Sequence, residues 1–176
     1  SVFEKLRRVG KNMLTLHVKR RQATQTQLPK IKKQIQGVQQ QIVERLDTLN
    51  VQPEIREELL QRIKDKGIAL RRAERVVEDC CARIGKPRAE AVKVIRKMGR
   101  ERSVYTAVRR KMRCTDEILE KIIRAFNDGQ KTVRQIEKED VLLPSKEFKV
   151  ALLKLERAEE KMKRGKAELI EANLRL

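Results

Sequence analysis

The sequence contains few of the residues on which β-sheets depend. Among 176 residues there is no tryptophan, one tyrosine and three phenylalanines, so aromatic residues make up only 2%. Because β-rich chains need many aromatic and β-branched side chains, this composition argues against a β fold. Charged residues reach 39%, a level typical of packed helices when leucine, alanine, glutamate, lysine and arginine are abundant. We therefore predict an all-α fold.

Cysteine and histidine are also scarce, and their spacing fits neither a zinc site nor a disulfide framework. Cys80 and Cys81 are adjacent, Cys114 stands alone, and His17 is the single histidine. We expect no metal, no cofactor and a reducing, cytoplasmic compartment. No apolar run approaches the ~20 residues that cross a bilayer, and no secretory signal is evident, so we expect no membrane contact.

Motifs for nucleotide binding, serine hydrolysis and zinc proteolysis are missing as well. Acidic residues such as Glu57 and Glu58 alternate with basic ones on predicted helix faces. That pattern indicates a solvated surface rather than the paired titratable groups of acid–base catalysis. We expect a protein that is not an enzyme and has no small-molecule substrate.

Positive charge is abundant and unevenly distributed. The chain has 44 lysines and arginines against 25 acidic residues, a formal net charge of +19. Residues 4–33 hold ten basic residues and one acidic residue, and residues 86–113 hold eleven and two, so each block has a net charge of +9. Such blocks are either solvated helix faces or contacts for a polyanion, which could be nucleic acid or an acidic protein surface.

The second block supplies the candidate contacts with nucleic-acid phosphates. Tyr105 is its single aromatic residue, which disfavours a site that stacks unpaired bases. Contact with the sugar-phosphate backbone needs only cations. The candidates are Arg96, Lys97, Arg100, Arg102, Arg109, Arg110, Lys111 and Arg113.

Apolar residues at intervals of three and four predict three helices in the first half of the chain. The first covers about residues 2–21. The second carries a seam from Ile31 to Leu49, and the third begins near Pro53 and carries Ile55, Leu59 and Ile63. Because a short link at residues 50–53 joins two helices that each have an apolar seam, we predict that the second and third helices form a long antiparallel hairpin.

Helix-breaking residues divide the second half. Gly85-Lys86-Pro87 ends the third helix, a short helix follows around Ala91, Val92 and Ile95, and residues 100–113 give no clear prediction. Thr115 or Asp116 begins another helix, and Asn127-Asp128-Gly129 predicts a turn. A break at residues 141–145 precedes a long last helix with Ser145 as its N-cap. Together these elements predict an irregular multi-helix bundle with a long C-terminal helix.

The two ends of the sequence suggest that the chain is a segment of a longer polypeptide. The first residue is Ser1 rather than methionine. The last helix has no C-cap, because Leu174-Arg175-Leu176 are good helix formers. We therefore expect the last helix to continue beyond Leu176.

The end of the chain also carries its most specific string. Residues 166–176 read Lys-Ala-Glu-Leu-Ile-Glu-Ala-Asn-Leu-Arg-Leu. This string resembles the start of conserved region 2.1 in the primary sigma factors of bacterial RNA polymerase, where a Lys/Arg-rich helix leads into it. Val51-Gln52-Pro53, Ala73-Glu74-Arg75, Cys80-Cys81 and Gly85-Lys86-Pro87 resemble, more loosely, features of the helical insertion that precedes region 2.1.

The resemblance implies a division of the chain and a role. Residues 1–143 would be the non-conserved helical insertion, and residues 144–176 would be the first helix of the region 2 domain. Sigma factors bind core RNA polymerase, direct it to promoters and help to melt the −10 element. In that family the asparagine and final leucine of the string help to form the pocket for a flipped base of the non-template strand; here they are Asn173 and Leu176.

The insertion of the family contacts the largest core subunits and upstream promoter DNA. The implied partners are therefore core RNA polymerase and promoter DNA, through its non-template strand and its upstream backbone. Asn173 and Leu176 also have a simpler interpretation, as helix-packing and capping residues. Two other functions stay open from the residues alone: a helical scaffold or adaptor module, and a stand-alone helical domain that binds the DNA backbone.

Overall fold

The computed structural model describes residues 2–48 and 52–175, and within these ranges the chain is helical with no strand. The all-α prediction is confirmed. A five-residue π-helix, Ile136–Asp140, directly follows the sixth α-helix. The α-helices, in chain order, are α1 (Val2–Gln22), α2 (Leu28–Thr48), α3 (Pro53–Arg83), α4 (Arg88–Met98), α5 (Arg102–Met112), α6 (Asp116–Gln135) and α7 (Ser145–Leu174).

The chain forms two compact units, residues 1–62 and residues 63–176, with the boundary inside α3. In the first unit α1 packs on α2 through the buried side chains of Leu16, Ile35 and Val38. Thr24 forms the tight turn between these helices, because its carbonyl accepts hydrogen bonds from the backbone N–H groups of Gln27 and Leu28 at 3.1 and 3.2 Å. The first unit is therefore an antiparallel helix pair with a small core.

The long hairpin lies at a different place from the one that the sequence predicts. Within the first unit, Leu46 of α2 and Ile55 and Leu59 of α3 have exposed fractions of 39% to 49%, so these seam residues are not buried against one another. The prediction that the second and third helices pair is therefore wrong, and α1 and α2 form the hairpin instead. Asn50 and Val51 of the predicted connection lie outside the described residues.

The main core of the second unit joins α3, α4 and α6, with α5 packed beside it. Leu119 and Phe126 of α6 and Ala91 and Ile95 of α4 are almost completely buried. Each large apolar side chain in such a core stabilises the fold by roughly 1.5–3 kcal/mol. The buried face of α3 also includes Cys80 and Cys81, and burial raises the pKa of both thiols, so they pack as small neutral side chains.

A second core cluster holds the start of α7 against α3. It contains Leu70, Ile136, Phe148 and Leu152, which are 0% to 4% exposed. Ion pairs flank this cluster, from Lys149 Nζ to Glu74 Oε2 and from Lys64 Nζ to Glu159 Oε2, both at 2.7 Å. Because residue numbers rise along α7 as they fall along α3, the two helices are antiparallel.

The turn predicted at Asn127-Asp128-Gly129 is wrong, because α6 runs through all three residues. A methyl group added at Gly129 would lie 2.9 Å from Val77 Cγ2 and 3.1 Å from the carbonyl oxygen of Ala73. Gly129 therefore allows α3 and α6 to approach closely, and this contact outweighs the local preference of these residues for a turn.

The capping residue predicted for α7 is also different. Pro144 occupies the N-cap position and Ser145 is the first helical residue. The carboxylate of Glu137, in the π-helix, accepts hydrogen bonds from the backbone N–H of Ser145 at 2.8 Å and from its hydroxyl. A carboxylate at a helix N-terminus satisfies free N–H groups and interacts favourably with the helix dipole.

Beyond residue 160 the side chains of α7 are exposed to the last described residue. Met162, Leu169 and Ile170 are 59% to 63% exposed, although residues 145–160 of the same helix contribute Phe148 and Leu152 to the core. Among the described residues, no helix has the length and apolarity needed to cross a membrane.

Candidate nucleic-acid interface

A concave surface lined mainly by cations and amides lies in the second unit, between the end of α4 and the outer face of α6. We call this surface the basic groove. It encloses about 780 Å³. Its lining holds five cations and one carboxylate, a net charge of +4, with three polar amides and no apolar residue among the lining residues described. They are Arg96, Arg100, Asn127, Gln130, Lys131, Arg134, Gln135, Lys138 and Glu139.

Helix geometry explains why these cations converge. Arg96 and Arg100 are four residues apart at the end of α4, so they lie on the same side of that helix end. The backbone N–H of Arg100 donates to the carbonyl of Lys97 at 2.9 Å, which continues the helical path past Gly99. Lys131 and Arg134 are three residues apart on α6 and thus share a face. Packing of α6 on α4 sets the two groups on opposite walls.

Little negative charge neutralises the groove from within. Arg96 Nη2 donates a hydrogen bond to the amide oxygen of Gln130 at 3.1 Å, which orients the guanidinium without cancelling its charge. Arg100, Lys131 and Arg134 form no ion pair with the residues that the structure describes. Unpaired cations around a concavity with low-dielectric walls concentrate a positive field there.

A smaller polar recess of about 220 Å³ lies directly beside the groove and shares Arg96, Gln130 and Arg134 with it. Glu137 and Ser145 line the recess, so the residues that cap α7 adjoin the residues that line the groove. The start of α7 therefore lies beside the groove.

The eight cations predicted from the second basic block do not all lie in the basic groove. Arg96 and Arg100 line the groove. Lys97 is exposed and is not among the lining residues. The other five lie on α5 or at its C-cap, and one of them is paired, since Arg109 Nη1 lies 2.7 Å from Asp116 Oδ2. The other four cations of this group are exposed and form no ion pair with the described residues. They are Arg102, Arg110, Lys111 and Arg113.

Three cations of the groove are not among the candidates that the sequence predicts: Lys131, Arg134 and Lys138. They belong to residues 114–176, where fourteen basic residues face thirteen acidic ones and the net charge is only +1. Their spacing of three and four residues along one predicted helix is the pattern that could have indicated a shared basic face. The net charge of a whole segment does not reveal such a face, because acidic residues on other faces cancel it in the sum.

The string at the end of the chain lies on α7. Asn173 is exposed, Leu174 is 82% exposed, and Glu171 pairs with Arg175 one turn later. Leu176 lies outside the described residues, so its predicted role stays a prediction. Asn173 therefore lies on an accessible helix surface, and it is not among the described residues that line the basic groove.

Neither the groove nor the α7 string resembles a metal centre. Among the described residues, no cluster of three or more histidine, cysteine, aspartate or glutamate side chains could hold a metal ion. Comparison of the chain with protein-family models, curated proteins and solved structures finds no match.

Proposed function

We propose that the chain is part of a primary sigma factor of bacterial RNA polymerase, with residues 1–143 as the helical insertion and residues 144–176 as the first helix of the region 2 domain. The observation that carries this proposal is the string Glu-Ala-Asn-Leu-Arg-Leu at residues 171–176. A factor of this kind is cytoplasmic, binds core polymerase, directs it to promoters and helps to melt the −10 element.

The accessibility of α7 supports the proposal. Leu169, Ile170 and Leu174 are 59% to 82% exposed, on a helix whose first half is well packed. A group of exposed apolar side chains on one helix marks a surface that packs against a partner. In the proposed factor this partner is the remainder of the region 2 domain.

Within this proposal, Asn173 and Leu176 contact the unpaired non-template strand. Cations from residues 86–113, among them Arg96 and Arg100, contact the upstream backbone. In that family, −35 recognition and most of the contact with core polymerase belong to other regions of the sigma factor. The function therefore resides in the intact polypeptide.

Promoter opening by the intact polypeptide with core polymerase tests the proposal. We expect co-purification with core polymerase, run-off transcripts from a promoter with a −10 element, and permanganate-reactive thymines in the melted region. Asn173→Ala should reduce open-complex formation several-fold, since an amide contact with an extruded base is lost. Asn12→Ala, at an exposed position of α1, is the matched control and should leave it unchanged.

Two results would refute the proposal: a polypeptide that does not bind core polymerase, and a complex that starts transcription equally with or without a promoter. Equal opening by the Asn173→Ala variant and the wild type would remove the assigned role of Asn173 alone.

A helical scaffold is the second candidate, favoured by the exposed apolar residues Leu46, Ile55 and Leu59. Long helices with unpaired apolar seams associate into coiled coils when the seams meet. This function predicts a concentration-dependent oligomer, measured by light scattering during size-exclusion chromatography, and no promoter-dependent transcription. The sigma-factor proposal instead predicts promoter-dependent transcription.

A further inference from the structure

We infer that the basic groove binds the phosphate backbone of double-stranded nucleic acid without reading its bases. The inference goes beyond the predicted contacts, because it assigns Lys131, Arg134 and Lys138 to the site and leaves the cations of α5 out of it. As an account of how the proposed factor contacts DNA it rests on the proposed function. The groove is tested without polymerase, so the two can fail separately.

The composition of the lining favours nucleic acid over a protein partner. Stable protein–protein interfaces have an apolar core surrounded by polar residues. The groove has charged residues and amides, with no apolar residue among the lining residues described. Interfaces with nucleic acid are polar and strongly positive, which matches this lining.

The spacing of the cations fits a duplex. Residues 131–138 rise by roughly 10 Å along the helix, at about 1.5 Å per residue. A DNA duplex of that length carries about six phosphates, at one charge per ~1.7 Å. A row of cations from α6 and the π-helix, with Arg96 and Arg100 opposite, thus meets a comparable density of negative charge.

The chemistry of the side chains favours backbone contact over base recognition. None of the described lining residues is aromatic, so they offer no platform on which unpaired bases could stack. Guanidinium groups bind phosphate oxygens through two parallel hydrogen bonds, and the amides of Asn127, Gln130 and Gln135 also suit phosphate and sugar contacts. Such contacts hold a duplex in position without specifying its sequence.

Order in the groove lowers the entropic cost of binding. The hydrogen bond from Arg96 to Gln130 holds one wall cation against the opposite helix. Arg134 adjoins the recess in which Glu137 caps α7. Side chains that are already oriented lose less conformational freedom when a ligand binds.

The test measures binding of this chain to a fluorescent duplex of mixed sequence as a function of salt concentration. The variant K131Q/R134Q removes two cations of the groove. We expect it to weaken binding about tenfold at ~0.1 M salt and to reduce the slope of log K against log salt by about 2, since each lost phosphate contact lowers the slope by about 1.

The matched control is K121Q/R124Q, which removes two positive charges from the same helix outside the groove. Both residues are exposed, and Arg124 already pairs with Glu120 at 3.0 Å. We expect it to change the slope by less than about 0.5. Circular dichroism should show equal helix content in both variants, since all four side chains are on the surface.

Four results would overturn the inference. The two double variants could weaken binding equally, which would mean that net charge alone drives it. K131Q/R134Q could leave the affinity and slope unchanged. Polyglutamate of matched charge could displace the duplex at a lower concentration than unlabelled duplex does, which would identify an acidic protein surface as the preferred ligand. Tighter binding of single strands than of duplex would likewise contradict it.

Discussion

Residues 4–33 and residues 86–113 carry the same net charge of +9, yet the structure arranges them differently. In the first unit the cations lie along an antiparallel helix pair that has a small core. In the second unit the block is divided: Arg96 and Arg100 line a concave groove, Arg109 pairs with Asp116, and the exposed cations of α5 stay outside. Segments of equal net charge therefore place their cations in different surroundings.

The groove needs two chain segments, and the packing between them decides its charge. Three of its five cations come from residues 131–138, in a region that is nearly neutral overall. The helix pair of the first unit needs no such assembly, because its cations are local in sequence. The comparison predicts that core mutations in the second unit affect the groove and spare the helix pair.

The largest effect is expected from Phe126→Ala. Phe126 is 1% exposed and packs in the same core as Ile95 and Met98, directly behind the groove residues of α4 and α6. Removal of a buried ring should lower the free energy of unfolding by about 3–5 kcal/mol. Denaturant unfolding measures this loss, and duplex binding should fall as the second unit loses order.

Hydrogen exchange distinguishes the two units in this variant. Amides of α4 and α6 should exchange faster, while those of α1 and α2 should not change, because Leu16, Ile35 and Val38 form a separate core. Ile118→Ala on the same helix, at a position that is 44% exposed, is the control and should cost under about 1 kcal/mol. Faster exchange throughout α1 and α2 would disprove the independence of the two regions.

A moderate effect is expected where α3 and α6 approach closely. In Gly129→Ala the new methyl group would lie 2.9 Å from Val77 Cγ2, and backbone at Ala73 limits its relaxation. We expect a loss of about 1–2 kcal/mol in thermal or denaturant unfolding, because overpacking exceeds the gain in helix propensity. Gly165→Ala, which meets nothing within 4 Å, should instead stabilise by up to about 1 kcal/mol. Stabilisation by both changes would contradict the close contact.

The same two helices show how far the sequence predicts the fold. Periodic apolar residues locate the helices well, and Gly85, with a φ of +67°, ends α3 where the glycine and proline signals place the break. Local signals fail at Asn127-Asp128-Gly129, where contact with Ala73 and Val77 keeps the chain helical. No local pattern reports such a contact, because its partner lies about fifty residues away in the sequence.

The groove shows the same limit for function. Arg96 and Arg100 are recognisable as candidates because they belong to a basic block. Lys131 and Arg134 are not, since acidic residues on other faces of the helices balance them in any count along the chain. The α7 string is the opposite case: it is specific as a sequence, whereas the structure adds only that Asn173 is accessible. The string therefore supports the proposed family, whereas the cations that the fold brings together support contact with a nucleic-acid backbone.

The smallest effect is expected from Asp116→Asn, which tests whether the cations of α5 share the work of the groove. The change removes the ion pair with Arg109, whose side chain is 41% exposed, and one favourable charge at the start of α6. Because surface ion pairs contribute little, the free energy of unfolding should fall by about 1 kcal/mol or less. Duplex binding should strengthen less than threefold at ~0.1 M salt, since the freed cation lies outside the groove. A gain as large as the loss caused by K131Q/R134Q would show instead that α5 and the groove form one continuous binding surface, and the contrast between them would disappear.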